Sequence, residues 1–213
     1  MEDRMIEEKM AERLHERFGR MLDKEAFGYR YAAREVPVGK AGRLDVVGYC
    51  KVEKVFKVVE CKAGSGKATI WKAFGQMAMY RAAIENDVLG FLDAFTRKSP
   101  MRFERMMEAT SGGKRIAIEF YVALTDEACK DWDCLIQLKE LNPDTGIFRI
   151  KDDLRVRDNV KDPNGNPNHE LAKARRVSLA FTWPTCSGAI DKGMPALAPA
   201  EKTDPRTLLR QEA

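Results

Sequence analysis

The sequence predicts an α/β fold in which a mixed central sheet is flanked by helices. Three observations predict it: a charged amphipathic segment at residues 2–22, a run of strand-like segments over residues 27–62, and helical segments that alternate with single strands from residue 69 onward. Helices and strands that alternate along a chain are typical of a sheet covered by helices.

The first element is a helix over residues 2–22. Ala11, Leu14, Phe18 and Leu22 recur at spacings of three and four residues, and charged residues fill the other faces. This periodicity places the apolar side chains on one helical face, so the segment is predicted to be an amphipathic helix.

Strands follow this helix. Strand-like segments occupy residues 27–38, 43–53 and 54–63, and a turn bounded by glycines lies at residues 39–42. Such segments separated by turn residues are typical of neighbouring strands. The region is predicted to form a three-stranded meander.

The later elements alternate between helix and strand. They are a helix over 69–86, short helices over 88–109, a break at 111–113, a buried strand over 115–125, a helix from a cap at Asp126 to about 139, and a strand from Gly146. The resulting order is αβββαβαβ with an insertion.

The chain is predicted to contain one domain and a tail. Residues 1–158 carry the periodic segments and suit a single domain of ordinary size. Residues 159–213 include DPNGNPN and MPALAPAEKTDP, which are rich in breaker residues and lack periodicity. This part is predicted to be an irregular tail or docking segment.

Composition narrows the class of protein. Hydrophobic residues make up 44% of the chain, but no apolar run could cross a membrane, and the charged N-terminus lacks a secretory signal, so a cytoplasmic protein is expected. The five cysteines include no CxxC pair, which argues against a disulfide framework or a zinc site. A net charge of +4 permits a nucleic-acid partner without requiring one.

Charged residues end the third predicted strand. Glu60 and Lys62 share one face of it, because side chains alternate along a strand. Asp45 lies in the preceding strand, where antiparallel pairing brings its carboxylate beside that of Glu60. Adjacent carboxylates repel each other unless a cation lies between them, and oxygen ligands suit Mg²⁺ or Mn²⁺. With Lys62 available to an attacking water, the pattern indicates phosphodiester hydrolysis.

These residues resemble the motifs of the PD-(D/E)XK nuclease superfamily, including the QxxxY element of its RecB-like branch. The motifs that carry the resemblance are Asp45, Glu60-Cys61-Lys62, Gln76 and Tyr80. Leu44 stands where the superfamily's name has proline, and no cysteine set matches an iron–sulfur cluster. The resemblance implies a restriction-endonuclease-like α/β/α sandwich.

The resemblance also implies a role for Asp45 and for each residue of the Glu60-Cys61-Lys62 motif. Asp45 and Glu60 are expected to bind the metal, together with the backbone carbonyl of Cys61. Lys62 is expected to serve the nucleophilic water.

The helical residues have supporting roles in such enzymes. Gln76 and Tyr80, four residues apart on one helical face, are expected to orient the site and contact the nucleic acid. Many members carry a glutamate in the first helix, a place that Glu7 fits. His15 is the competing residue, because RecB-like enzymes use a histidine there.

Three basic residues are predicted to contact DNA phosphates: Lys67, Lys72 and Arg81. The first belongs to a glycine-containing loop between a strand and a helix, which is the context of a phosphate-binding loop. Cys61 and Ala68, however, stand where a nucleotide-hydrolysing P-loop needs glycine and a hydroxyl residue.

The sequence therefore predicts a Mg²⁺-dependent deoxyribonuclease. The alternative is a catalytically silent nuclease-fold subunit that binds nucleic acid with partners in repair, recombination or defence. DNA is the expected substrate. RNA as a substrate, endonuclease against exonuclease action, sequence specificity and a homodimer are left open by the sequence.

Overall fold

A mixed sheet lies at the centre of the fold. The computed structural model describes residues 2–20, 30–50, 53–99, 101, 110, 114–151, 153–157, 160–161 and 164–181. The strands are β1 (Arg30–Val38), β2 (Gly42–Cys50), β3 (Val55–Lys62), β4 (Arg115–Thr125), β5 (Thr145–Ile150), β6 (Val156–Arg157), β7 (Val160–Lys161), β8 (Pro167–Asn168) and β9 (Val177–Ala180). The helices are α1 (Glu2–Arg20), α2 (Gly66–Asn86), α3 (Val88–Lys98), α4 (Trp132–Leu141) and α5 (His169–Ala172).

The sheet combines antiparallel and parallel pairing. Its order is β1-β2-β3-β4-β5-β6, and β9 also pairs with β4. The first three strands are antiparallel neighbours, as the predicted meander requires, whereas β3, β4 and β5 run parallel. The prediction of an α/β fold with a mixed sheet flanked by helices is confirmed.

Helices cover both faces of the sheet. The apolar face of α1 packs with one set of strand residues, such as Val46 and Val59. Helices α2 and α3 pack with the alternate set, such as Val47 and Val58. Because side chains alternate along a strand, Asp45, Glu60 and Lys62 belong to the face covered by α2.

Two helix boundaries differ from the prediction. Helix α2 begins at Gly66 and not at 69, because the glycine-rich stretch that reads as a loop continues directly into the first helical turn. Asp126 does not cap the next helix and instead forms an ion pair with Arg149. The cap of α4 is Asp131, whose side chain accepts a hydrogen bond from the Cys134 backbone N–H.

The segment after residue 158 contains short regular elements. Strand β9 adds to the sheet beside β4, and Leu171 and Ala172 of α5 are buried. Regular elements therefore occur at residues 160–161, 167–172 and 177–180, within the predicted tail. Elements of two to four residues carry too little periodicity to be recognised in the sequence.

Several predicted features lie outside the described residues, namely Leu22, residues 27–29, residues 102–109, the break at 111–113 and residues 182–213. Within the part that the structure describes, no helix has the length and apolar character needed to span a membrane.

Candidate functional site

Asp45 lies at the start of β2, beside the end of β3. The ladder pairs Val46 with Val59, and its continuation places Asp45 opposite Glu60. The Oδ2 atom of Asp45 accepts a hydrogen bond from the Cys61 backbone N–H, with a distance of 2.6 Å. This bond fixes the aspartate against the strand that carries the other charged residues.

Glu60 is a buried carboxylate, with only 1% of its surface exposed. Its Oε1 atom accepts a hydrogen bond of 2.6 Å from Lys62 Nζ. Its Oε2 atom is buried and has no hydrogen-bond partner among the described residues. A buried carboxylate oxygen without a partner is costly, so this atom marks a place where a cation would stabilise the protein.

Lys62 and Glu7 complete the group of charges. Lys62 Nζ also donates a hydrogen bond to the Cys61 carbonyl (3.0 Å) and lies 3.8 Å from Glu7 Oε2. Glu7 reaches this point from α1, and its Oε1 accepts a hydrogen bond from the Ala63 N–H at 3.2 Å. His15 lies about two turns further along the same helix, so Glu7 is the first-helix residue that the fold brings to the site.

Burial and mutual repulsion shift the titration of these groups. Burial, together with the neighbouring Asp45 carboxylate, raises the pKa of Glu60 to about 8. Burial likewise raises the pKa of Asp45, although the hydrogen bond from Cys61 opposes the shift. For Lys62, burial favours the neutral form, but the attraction of Glu60, Glu7 and Asp45 prevails and raises its pKa. Lys62 therefore keeps its proton at neutral pH.

Gln76 and Tyr80 of α2 form a hydrogen-bonded pair beside this group. Gln76 Nε2 donates to the Tyr80 hydroxyl at 2.6 Å, and Tyr80 is almost completely buried. Burial raises the pKa of Tyr80, and the charges of Glu60 and Asp45 add to the shift. The tyrosine therefore lies within electrostatic reach of both carboxylates.

A glycine makes room for this tyrosine. A Cβ atom at Gly42 would lie 3.2 Å from the Tyr80 hydroxyl oxygen, and the residue has a φ of +125°, which non-glycine residues rarely adopt. The start of β2 and the middle of α2 are therefore in close contact where Asp45 enters the site.

The three predicted DNA-contacting residues differ in their surroundings. Lys67 and Lys72 are exposed on α2, and Lys72 lies one turn before Gln76. Arg81 is held by Glu85 (2.8 Å) and Asp144 (2.9 Å), which gives it a structural role. Contact of any of the three with DNA stays a prediction.

The arrangement fits a divalent cation. Lys62 Nζ already contacts Glu60 Oε1 and the Cys61 carbonyl oxygen, two of the predicted metal-ligand atoms. Those two atoms therefore both contact a positive charge. Within the described ranges, no group of three or more His, Cys, Asp or Glu side chains is arranged so that it could hold a metal ion.

Thr125 supports the site and was missed by the sequence-based prediction. Its hydroxyl donates to the Gly64 carbonyl at 2.7 Å and accepts a hydrogen bond from the Ala128 N–H. These bonds join the loop that follows β3 to the loop that follows β4. The contact links residues 61 positions apart, and no local sequence pattern predicts it.

Comparisons of the chain with family models, with curated proteins and with solved structures found no match.

Proposed function

We propose that the chain is a Mg²⁺- or Mn²⁺-dependent deoxyribonuclease with a restriction-endonuclease-like fold. The observation that carries the proposal is the buried Glu60 carboxylate, whose Oε2 atom has no hydrogen-bond partner among the described residues, with the Asp45 carboxylate close enough to raise its pKa. Buried carboxylates of this kind are stabilised by a cation, and all the available ligands are oxygen atoms, which magnesium and manganese prefer.

The balance of charge supports the same conclusion. Asp45, Glu60 and Glu7 supply three carboxylates, whereas Lys62 supplies one ammonium group. When all four groups are charged, two negative charges remain uncompensated in a poorly hydrated place. A divalent cation would neutralise them.

Each residue then has a definite task. Asp45, Glu60 and the Cys61 carbonyl would hold the ion, which lowers the pKa of a bound water and neutralises charge on a phosphate. Lys62 is protonated at neutral pH, so it acts as a hydrogen-bond donor that orients the nucleophilic water or a phosphate oxygen.

The pair on α2 orients the site. The Tyr80 oxygen accepts the Gln76 amide proton, so the tyrosine's own hydroxyl proton must point elsewhere. The tyrosine can therefore donate to a carboxylate or to a phosphate oxygen. Glu7 bonds the Ala63 N–H and thereby ties α1 to the end of β3.

The test is cleavage of linear, circular and single-stranded DNA by the full chain with Mg²⁺ or Mn²⁺, compared with an EDTA control and with Glu60→Ala. We expect metal-dependent cleavage that the variant loses, and cutting of circular DNA would identify an endonuclease. Cleavage that persists in EDTA or in the variant would contradict the assignment. DNA that is bound but never cut would favour the silent-subunit alternative.

A further inference from the structure

A cleft outside the candidate active site is lined mainly by charged residues and a tryptophan. It has a volume of about 330 Å³, which falls in the range of small-ligand sites. We call it the basic cleft, and its lining residues are Asp126, Cys129, Lys130, Trp132, Arg149, Lys161 and Gly165.

The basic cleft lies at the carboxyl ends of the parallel strands, where ligands usually bind. Asp126 directly follows β4, and Arg149 is next to the last residue of β5. These strands run parallel to β3, whose carboxyl end carries Glu60 and Lys62. In open α/β sheets, ligands bind outside the carboxyl ends of the strands. The cleft and the candidate active site therefore share one edge.

The lining charges favour an anion. Lys130, Arg149 and Lys161 contribute three positive charges and Asp126 one negative charge, a formal balance of +2 among the lining residues. Lys130 also forms an exposed ion pair with Glu127, which does not line this cleft, so a phosphate would have to compete with that carboxylate. The Arg149 side chain is only 13% exposed, and its Nε lies 3.0 Å from Asp126 Oδ1 in an ion pair that lacks hydrogen-bond geometry. Lys161 is exposed and available to a ligand.

A neighbouring cleft has the opposite character. It shares Lys130 and Trp132 with the basic cleft, but its remaining charged residues are Glu127, Asp131 and Asp133. Its formal balance is therefore −2. A phosphate would be repelled there and attracted to the basic cleft, so the two clefts differ in the ligands that they accept.

Trp132 supplies an aromatic wall. It begins α4, is partly buried against the core, and lines both clefts. Indole rings provide stacking surfaces for the bases of single-stranded nucleic acids, and nearby cations bind the backbone. A base in duplex DNA is already stacked, so only an unpaired base can use such a surface.

We propose that the basic cleft binds one nucleotide of single-stranded DNA, with the base stacked on Trp132 and the phosphate held by Lys130, Arg149 and Lys161. As a subsite for the substrate strand, this proposal rests on the proposed nuclease function. Binding itself does not depend on cleavage, so the two are tested separately.

The first test measures the affinity of the full chain for fluorescein-labelled oligothymidylate by fluorescence anisotropy in EDTA, where metal-dependent cleavage cannot occur. Lys161→Ala should weaken binding several-fold and reduce the slope of log affinity against log salt by about 0.7. The matched control is Lys98→Ala. Lys98 is exposed at the end of α3, and this helix packs against β1, the strand at the opposite side of the sheet from β5 and β6. Equal behaviour of the two variants would overturn the proposal.

The second test addresses stacking. Trp132→Leu should weaken oligothymidylate binding by roughly 5- to 150-fold, and Trp132→Phe should retain most of the affinity. Trp71→Leu is the control, because Trp71 is 50% exposed on α2 and does not line either cleft. Unchanged affinity in Trp132→Leu, or an equal loss in Trp71→Leu, would contradict the proposal. The proposal would also be contradicted if duplex DNA bound the wild type as tightly as oligothymidylate does and lost as much affinity in Trp132→Leu.

Discussion

Strand β3 carries a lysine near each end, and the two lysines lie in clusters of opposite kind. Near its beginning, Lys57 pairs with Glu53 (3.3 Å) and with Glu119 of β4 (3.6 Å). Glu119 also accepts hydrogen bonds from Tyr121 and from Arg176. We call Glu53, Lys57, Glu119 and Arg176 the balanced cluster, because two acids meet two bases.

The cluster at the other end is unbalanced. Within the part of the chain that the structure describes, Lys62 is the base that pairs with Glu60 and Glu7, Asp45 lies beside them, and Glu60 Oε2 has no hydrogen-bond partner. In both clusters a lysine of β3 contacts carboxylates. Under the proposed function, the ratio of acids to bases, and not the presence of buried charge, separates a structural network from a cation site.

The largest expected difference between the clusters is in catalysis. Lys62→Met should lower metal-dependent cleavage by roughly a hundredfold or more, since a group that orients the nucleophile or the phosphate is lost. Lys57→Met, the same change five residues earlier, should leave the cleavage rate within a small factor of wild type. The measurement compares initial cleavage rates of the two variants and the wild type on one DNA substrate, with folding checked by circular dichroism. Equal losses in both variants would remove the distinction.

Metal affinity should separate the clusters next. Asp45→Asn can still accept the hydrogen bond from the Cys61 N–H but loses its charge. We expect Mg²⁺ to bind at least about tenfold more weakly, because even partners outside the ligand set contribute that much. Isothermal titration calorimetry measures the affinity. Wild-type affinity in this variant would exclude Asp45 as a ligand.

The pH dependence follows from Glu60. Its pKa is raised from an ordinary 4.5 to about 8, so below pH 8 a metal must displace a proton. Mg²⁺ affinity should therefore fall about tenfold for each pH unit below 8 and level off above it. Without metal, the folded state holds this proton more tightly than the unfolded state, so the free energy of unfolding should decrease as pH rises from 4.5 to 8. Mg²⁺ affinity that does not change with pH would contradict the pKa shift.

The smallest effect is expected in the balanced cluster. Arg176→Met removes a 3.5 Å contact between the segment before β9 and Glu119, and the arginine side chain is 49% exposed. Such a pair contributes up to about 1 kcal/mol to the free energy of unfolding. Urea denaturation should show a loss within that limit, and the cleavage rate should not change. A large loss of cleavage would mean that this cluster also serves the site.

The sequence contains enough local information for the centre of the fold. The alternation of side chains in β2 and β3 predicts the meander and places Glu60 and Lys62 on one face. The order of later helices and strands follows from periodicity in the same way. The meander and the mixed sheet are confirmed by the structure, whereas the catalytic roles stay predictions.

Other features depend on contacts between distant residues. Strand β9 has four residues and exists because β4 offers an edge to it. The bond between Thr125 and Gly64, and the ion pair between Arg81 and Asp144, span more than sixty positions. The lack of a hydrogen-bond partner for Glu60 Oε2 among the described residues also depends on tertiary structure, because it is set by the residues that surround the strand.

The most direct test of the central claim is a Mn²⁺ titration of the full chain followed by electron paramagnetic resonance. The wild type and Glu119→Gln, which changes only the balanced cluster, should bind the ion with the same affinity, and Glu60→Gln should lose that site. Binding of Mn²⁺ that survives in Glu60→Gln, or that disappears in Glu119→Gln, would contradict the claim that the unbalanced cluster at the end of β3 holds the metal.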